Sequence, residues 1–325
     1  MIKLSLLGEF SDITVKPFAC KISLSKQNQD ILFLEDRTIN TEKNLWKIES
    51  KNLRIITQNE DFEDGEIWII FPEFGTINRF FRPSANSNTV LLTERCDQLC
   101  TMCSQPPKAK DYLHFDLYEQ ACKLINGEAT IGISGGEPTL YKMELFEWIL
   151  KSISFNPKIK FHILTNCQHF DLGDVDKIKS VSENVLWAIP IYSSEEEIHN
   201  KIVGKEGAFK NLIKNLGVLL KGAARVEIRT VLLTFNQPDF IKLSQFISTH
   251  CQWIEFWSLM QLEPFGYARK DWTDKFWDTS DLINPLDIAV SHAVSRGIDI
   301  KLFNFPLCSL PKFLRKYTVK SISDW

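Results

Sequence analysis

No stretch of this chain stays apolar and uncharged for the ~18 residues a membrane-crossing helix needs, so no membrane span is expected. The first seven residues are too few, and carry Lys3 too early, to be a secretory leader, and no lipidation motif is found. Neither sign of charge dominates. A net charge of −3 gives no electrostatic footprint for nucleic acid or an anionic surface. The chain also lacks a second Cys-x2-Cys knuckle, and 325 residues form a core without needing disulfide staples. Three of its eight cysteines crowd one short stretch, which points to metal rather than cross-linking and to the reducing cytoplasm.

At 44% hydrophobic and 24% charged, the composition is that of a soluble globular protein. Residues 1–85 read as a small β-rich N-terminal domain: short β-type runs at 1–7, 13–22, 31–34, 53–56 and 67–71 alternate with polar turns, and no helical period appears. Residues 82–87, Arg-Pro-Ser-Ala-Asn-Ser, look like its exit linker. From residue 88 onward, strand-like and helix-like segments alternate. Strands are expected near 89–93, 130–134, 160–165, 184–191, 225–233, 253–259 and 298–303, with helices between most of them. The segment 192–207 reads as a polar loop. Such a repeat means parallel strands and right-handed crossovers, in either a doubly wound sheet or an open, partial barrel. The repeating domain is expected over residues 86–304 and a tail over 305–325.

Chemistry concentrates at two strand ends, where α/β folds collect ligands. Cys96, Cys100 and Cys103 follow the first strand at spacing C-x3-C-x2-C. The run Ile131-Gly132-Ile133-Ser134-Gly135-Gly136-Glu137-Pro138 closes the second. Three thiolates leave one iron of a four-iron cube without a protein ligand. Zinc is the competing reading, but a structural zinc wants four ligands, and His114 is the nearest fourth candidate. Arg95, Lys108 and Lys110 are expected to help hold the thiols as thiolates. In the glycine turn, Gly135 and Gly136 leave backbone carbonyls open to close approach by a ligand, Glu137 adds a negative charge and Pro138 stiffens the turn.

Together, Cys96-x3-Cys100-x-Met102-Cys103 and Gly135-Gly136-Glu137-Pro138 resemble the radical S-adenosylmethionine (SAM) superfamily. The resemblance implies a partial (β/α)6 TIM-like barrel, with a [4Fe-4S] cluster on Cys96, Cys100 and Cys103. It further implies SAM chelated at the open iron, an external electron donor, and formation of a 5′-deoxyadenosyl radical. It sets Met102 near the adenine and the Gly-Gly-Glu-Pro turn at the SAM ammonium. Asn166, Ser193 and Arg229 become candidate SAM contacts, each with a plainer reading as turn residue, helix cap or ion-pair member.

A narrower resemblance runs through Leu91–Cys96, Met102–Pro107, Glu263–Arg269, Asn304–Cys308 and Ser321–Trp325. These stretches look like the C-type radical SAM maturase of the His-Xaa-Ser system. That family implies modification of a peptide or protein rich in His-Xaa-Ser repeats, together with a B-type partner maturase. Its members usually continue into a Cys-rich tail, so either that auxiliary segment is cut off here or the site is absent. Cys308 is then either an auxiliary ligand or a small buried apolar residue. Cys20, Cys122, Cys167 and Cys251 are expected in the core, and His199 is read as structural. The aromatic loop 260–281 is a candidate lid, docking surface or plain packing element. A small-molecule substrate, or a metal-stabilised scaffold without activity, are the competing functions.

Overall fold

The computed structural model of the protein describes residues 63–319 apart from 72, 73 and 75, residues 17–21, and, as backbone alone, the strands lying between residues 4 and 57. Seven strands form one sheet in chain order: β1 (Asn88–Thr93), β2 (Ala129–Gly135), β3 (Ile159–Leu164), β4 (Val185–Pro190), β5 (Arg225–Leu232), β6 (Phe256–Gln261) and β7 (Asp299–Phe303). The registers from β3 to β7 are all parallel, with Ala188 beside Glu227 and Arg229 beside Ser258. A doubly wound sheet reverses its strand order at a switch point, whereas this order runs on without reversal. It is the progressive order of a barrel-type sheet that stays open, with β1 and β7 at its edges.

The crossovers are helical: α1 (Phe115–Lys123), α2 (Lys142–Phe155), α3 (Val175–Ser180), α4 (Glu196–Val203), α5 (Ala208–Lys221), α6 (Phe240–His250), the single turn α7 (Trp272–Lys275) and α8 (Thr279–Ser295). Strand alternation decides what each face carries. On β3, Phe161 and Ile163 are buried while His162 and Leu164 are half-buried. Cys167, Cys251, Cys122 and Cys20 are all buried, as expected of core thiols, and Cys308 is exposed.

Contacts divide the chain into two compact units interleaved in sequence. One comprises 1–90, 114–131 and 147–160; the other comprises 91–113, 132–146 and 161–325. In the first, a mostly antiparallel sheet holds Ile67–Phe71 between Phe18–Ser23 and Thr76–Phe81. All five side chains of Ile67–Phe71 are buried, and Tyr118 packs between Phe80 and Trp148 at centroid distances of 6.1 and 5.2 Å. The strands Trp46–Ser50 and Thr76–Phe81 were not anticipated, and the expected runs at 1–3 and 13–16 lie outside the described residues. The stretch 82–87 is a tied turn rather than a loose linker: Arg82 pairs with buried Glu66, and its backbone N–H donates to Asn88 Oδ1 at 2.7 Å.

The second unit corrects the expected polar loop at 192–207, because Glu196–Val203 is helical. Three successive glutamates disguise a short apolar stripe in which His199, Asn200, Ile202 and Val203 are buried. His199 is 1% exposed, and its Nδ1 accepts the Tyr192 N–H at 3.3 Å, which requires a neutral ring. Burial lowers its pKa to about 4. The unfolded chain therefore takes up this proton at a higher pH than the folded one. The stability it secures is complete above the ordinary value near 6.5 and is lost as pH falls toward about 4. His199→Gln is expected to flatten the acid limb of a stability–pH curve between those values by about 3 kcal/mol. Denaturant unfolding at a series of pH values checks this, and an unchanged limb would contradict it.

Candidate functional site

The end of β1 turns back on itself before it reaches the cysteines. Thr93 forms an antiparallel bridge with Asp111, Glu94 N–H donates to Lys110 O at 2.8 Å, and Tyr112 N–H donates to Leu92 O at 3.0 Å. Thr93 Oγ1 donates to Asp111 Oδ1 at 2.6 Å, and Tyr141 Oη donates to the same oxygen at 2.8 Å. The loop that carries the thiols is thus closed at its base. Its far side rests on the end of α4, where Leu99 and Thr101 N–H groups donate to Val203 and Ile202 carbonyls, each at 2.9 Å. The turn itself is pinned by Cys103 N–H donating to Cys100 O at 3.1 Å.

Against this loop lies the glycine turn. Gly136 N–H donates to Thr93 O and Glu137 N–H to Arg95 O, both at 2.7 Å. The approach is so close that a Cβ on Gly135 would stand 2.1 Å from Thr93 O, and one on Gly136 would stand 1.9 Å from Arg95 O. Gly135 also has φ +136°, which disfavours other residues. The glycines are required here by the protein's own backbone, a different reason from the open carbonyls that the sequence suggested.

Glu137 also has partners within the protein. It is fully buried, and one carboxylate oxygen accepts Thr139 N–H at 2.8 Å, Thr165 Oγ1 at 2.6 Å and the Thr139 hydroxyl, while the other accepts Asn166 N–H at 2.6 Å. Burial raises its pKa against the pull of these donors. The carboxylate ties the end of β2 to the end of β3 and caps the 3₁₀ turn Pro138–Tyr141, with Pro138 at its first position.

Asn166 faces the thiol loop. Its Nδ2 donates to Asp97 Oδ1 at 2.7 Å and lies 4.0 Å from Cys96 Sγ. Asp97 also pairs with Lys205 and has His169 Nε2 at 3.4 Å. Burial alone would raise the Asp97 carboxyl, but His169, Lys205 and Asn166 outweigh it and hold the group well below the carboxylate range. Asp97 was not singled out from the sequence; its place directly after Cys96 was the available signal. Ser193 is committed elsewhere. Its hydroxyl donates to buried Asp239 at 2.6 Å and accepts Glu195 N–H at 2.9 Å, at the entry to α4.

The cations expected to support thiolates have other partners. Arg95 pairs with Asp111 at 2.8 Å, Lys108 with Glu94 at 2.8 Å, and Lys110 lies over the Tyr112 ring at 4.9 Å. Burial raises the pKa of all three thiols. For Cys96, whose pKa is pushed up to about 11, and for Cys100, neighbouring thiols and carboxylates add to the effect. Cys103 donates its S–H to Gln105 O at 3.0 Å. His114, the candidate fourth zinc ligand, packs on Phe71 with ring centroids 4.9 Å apart.

Among the described residues, no three His, Cys, Asp or Glu side chains converge as a ready-made ion site. Cys103 adds to the rise in the Cys96 pKa, and Cys103 and Cys96 both add to that of Cys100. Three thiols on one short loop fit three corners of an iron–sulfur cube and leave a closed tetrahedral ion one ligand short. Met102 lies in an apolar cluster with Ile202, Leu233, Leu262 and Ala268, onto which Cys100 and Tyr192 pack. Arg229 is half-buried on β5, with Nη1 3.4 Å from Glu227 Oε1 and Nη2 3.5 Å from Met260 Sδ. Glu227, 1% exposed, also meets His162 Nε2 at 2.6 Å and Ser258 Oγ at 2.5 Å. This polar group on one sheet face was not foreseen, because its members lie on three strands far apart in sequence.

The sequence profile of the Radical SAM superfamily matches residues 90–247, the stretch that contains both motifs. The chain therefore carries a radical SAM domain. It is 21% identical over 210 residues to the antilisterial bacteriocin subtilosin biosynthesis protein AlbA of Bacillus subtilis (strain 168), across 63% of this chain and 43% of AlbA. Its fold is similar to that of SuiB of Streptococcus suis bound to S-adenosylmethionine, with a TM-score of 0.53, 17% identity, and coverage of 67% of this chain and 50% of SuiB. It is also similar to SuiB bound to the precursor peptide SuiA, with a TM-score of 0.51, 18% identity, and coverage of 66% and 47%. The chain spans about half the length of these relatives.

Because Glu137 serves four buried donors, Glu137→Ala is expected to lower folding stability by about 3 kcal/mol or more. Denaturant unfolding of the metal-free protein checks this, and a wild-type midpoint would return Glu137 to a purely ligand-facing role.

Proposed function

We propose that this chain is a radical SAM enzyme that modifies a peptide or protein. The observation that carries the reading is the docking of the Gly135-Gly136 turn onto the base of the three-thiol loop. It brings together two motifs 32 residues apart, at the neighbouring ends of β1 and β2, and packs them backbone to backbone. Cys96, Cys100 and Cys103 would hold a [4Fe-4S] cluster, leaving one iron for SAM. When bound, the reduced cluster supplies the electron that cleaves the sulfonium C–S bond, and an external donor reduces it.

The chain's own residues have defined tasks in this reading. Asp97, Asn166 and Lys205 fix the Cys96 end of the loop, and the end of α4 fixes its middle. Arg229 has donors to spare and would take the SAM carboxylate, with Glu227 aligning it from below. Carbonyls of the glycine turn would accept from the SAM ammonium, and Met102 would flank the adenine. Ser193 serves the turn into α4 rather than the cofactor.

A peptide substrate is supported by AlbA, named for bacteriocin biosynthesis, and by SuiB, whose fold is similar and which binds a precursor peptide. The motif flanks resembling His-Xaa-Ser maturases narrow this to a His-Xaa-Ser repeat protein, with a B-type maturase as partner. We place the reaction in the cytoplasm, where the chain's free thiols persist.

Anaerobic reconstitution should load about four irons per chain, and dithionite with SAM should then yield 5′-deoxyadenosine. Cys100→Ala is expected to lose the cluster. Wild-type iron in that variant, or no 5′-deoxyadenosine from loaded wild type, would overturn the proposal.

A further inference from the structure

The aromatic loop after β6 contains a charge that packing alone does not require. Lys275 is only 8% exposed, and it forms no ion pair among the described residues. Its ammonium donates instead to two backbone carbonyls, Tyr267 O at 2.8 Å and Lys270 O at 2.5 Å. Burying a cation without a counter-charge is unfavourable, and a methionine would fill the same space without that penalty. What a lysine adds is the grip on the two carbonyls.

Those carbonyls belong to a segment that reaches the third thiol. Tyr267 N–H donates to Cys103 O at 2.8 Å. Gly266, at φ +54°, lies so close that a Cβ would stand 2.2 Å from Cys103 O and 2.5 Å from Ser104 O. Ala268 is fully buried in the cluster around Met102. The other end of the loop is tied to the exit of β5, where Thr234 N–H donates to Lys275 O at 3.0 Å and Leu233 bridges Phe276. The segment is held at both ends and in the middle.

We propose that residues 262–275 are a fixed clamp on the Cys103 side of the thiol loop, and that Lys275 is the positioning residue that keeps it closed. The loop is therefore neither a lid that opens with each turnover nor simple packing. It holds Cys103 in place and screens that edge of the site from solvent and oxygen. The protective role rests on the reading that the thiols carry an iron–sulfur cluster; the clamp itself does not.

Two measurements separate these claims. Hydrogen exchange on the metal-free protein should find the Tyr267 amide protected in wild type. In Lys275→Met it should exchange about tenfold faster, while amides of β4 keep their wild-type rates. After anaerobic reconstitution, cluster absorbance in Lys275→Met should bleach in air several-fold faster than in wild type. A Tyr267 amide that exchanges freely in wild type overturns the clamp even if the variant does not fold. Equal exchange and equal bleaching in a folded variant also overturn it. If wild type takes up no iron, the proposed function fails while the exchange result still decides the clamp.

Discussion

Two backbone hydrogen bonds, from Gly136 N–H to Thr93 O and from Glu137 N–H to Arg95 O, hold the site together. They set the end of β2 against the base of the thiol loop with no side chain between. Backbone contact at this range leaves no room for a Cβ, so the glycines follow from it. Glu137 follows as well. Once the turn is pressed inward, its carboxylate is buried, and only a ring of donors from Thr139, Thr165 and Asn166 makes that tolerable. Asn166 then points its amide at Asp97, so one chain of contacts runs from β2 through β3 to the residue beside Cys96.

Seen this way, the thiol loop is a preformed cradle rather than a flexible strap. It is braced by its own return strand at Asp111, by the end of α4 at Val203 and by Tyr267 at Cys103. The thiols nevertheless sit where burial and mutual repulsion oppose ionisation. Nearby cations do not relieve this, because Arg95 and Lys108 are occupied by Asp111 and Glu94. In the proposed reading, iron would supply the charge that stabilises three thiolates, a division of labour expected when metal binding and thiol deprotonation are coupled.

Much of this was legible in the sequence because local spacing dictates it. Three thiols within eight residues and a Gly-Gly turn after an apolar run are short-range patterns. So is the alternation that gives the strands; each strand of the parallel sheet overlaps its expected run, although β6 begins at Phe256 rather than at residue 253. What sequence could not give was partnership across the fold. Lys205 meets Asp97 from 108 residues away, and His162 meets Glu227 from 65. Glu137 read as a charge near a ligand because its four donors are invisible until β3 is placed beside β2. The α4 helix was missed because Glu195-Glu196-Glu197 outweighed a stripe only a few residues long. Nothing in the local sequence marks Lys275, whose carbonyl partners are visible only in the folded loop.

In the proposed reading, the glycine turn and the three thiols enclose a cluster with one iron open to a small molecule. Electron paramagnetic resonance of the reduced, reconstituted protein, recorded before and after addition of SAM, tests it most directly. Ligation at an open iron predicts a reduced-cluster signal whose g-values shift when SAM is added. A signal indifferent to SAM, or a protein that takes up zinc in a closed four-ligand shell and gives no signal, would contradict it.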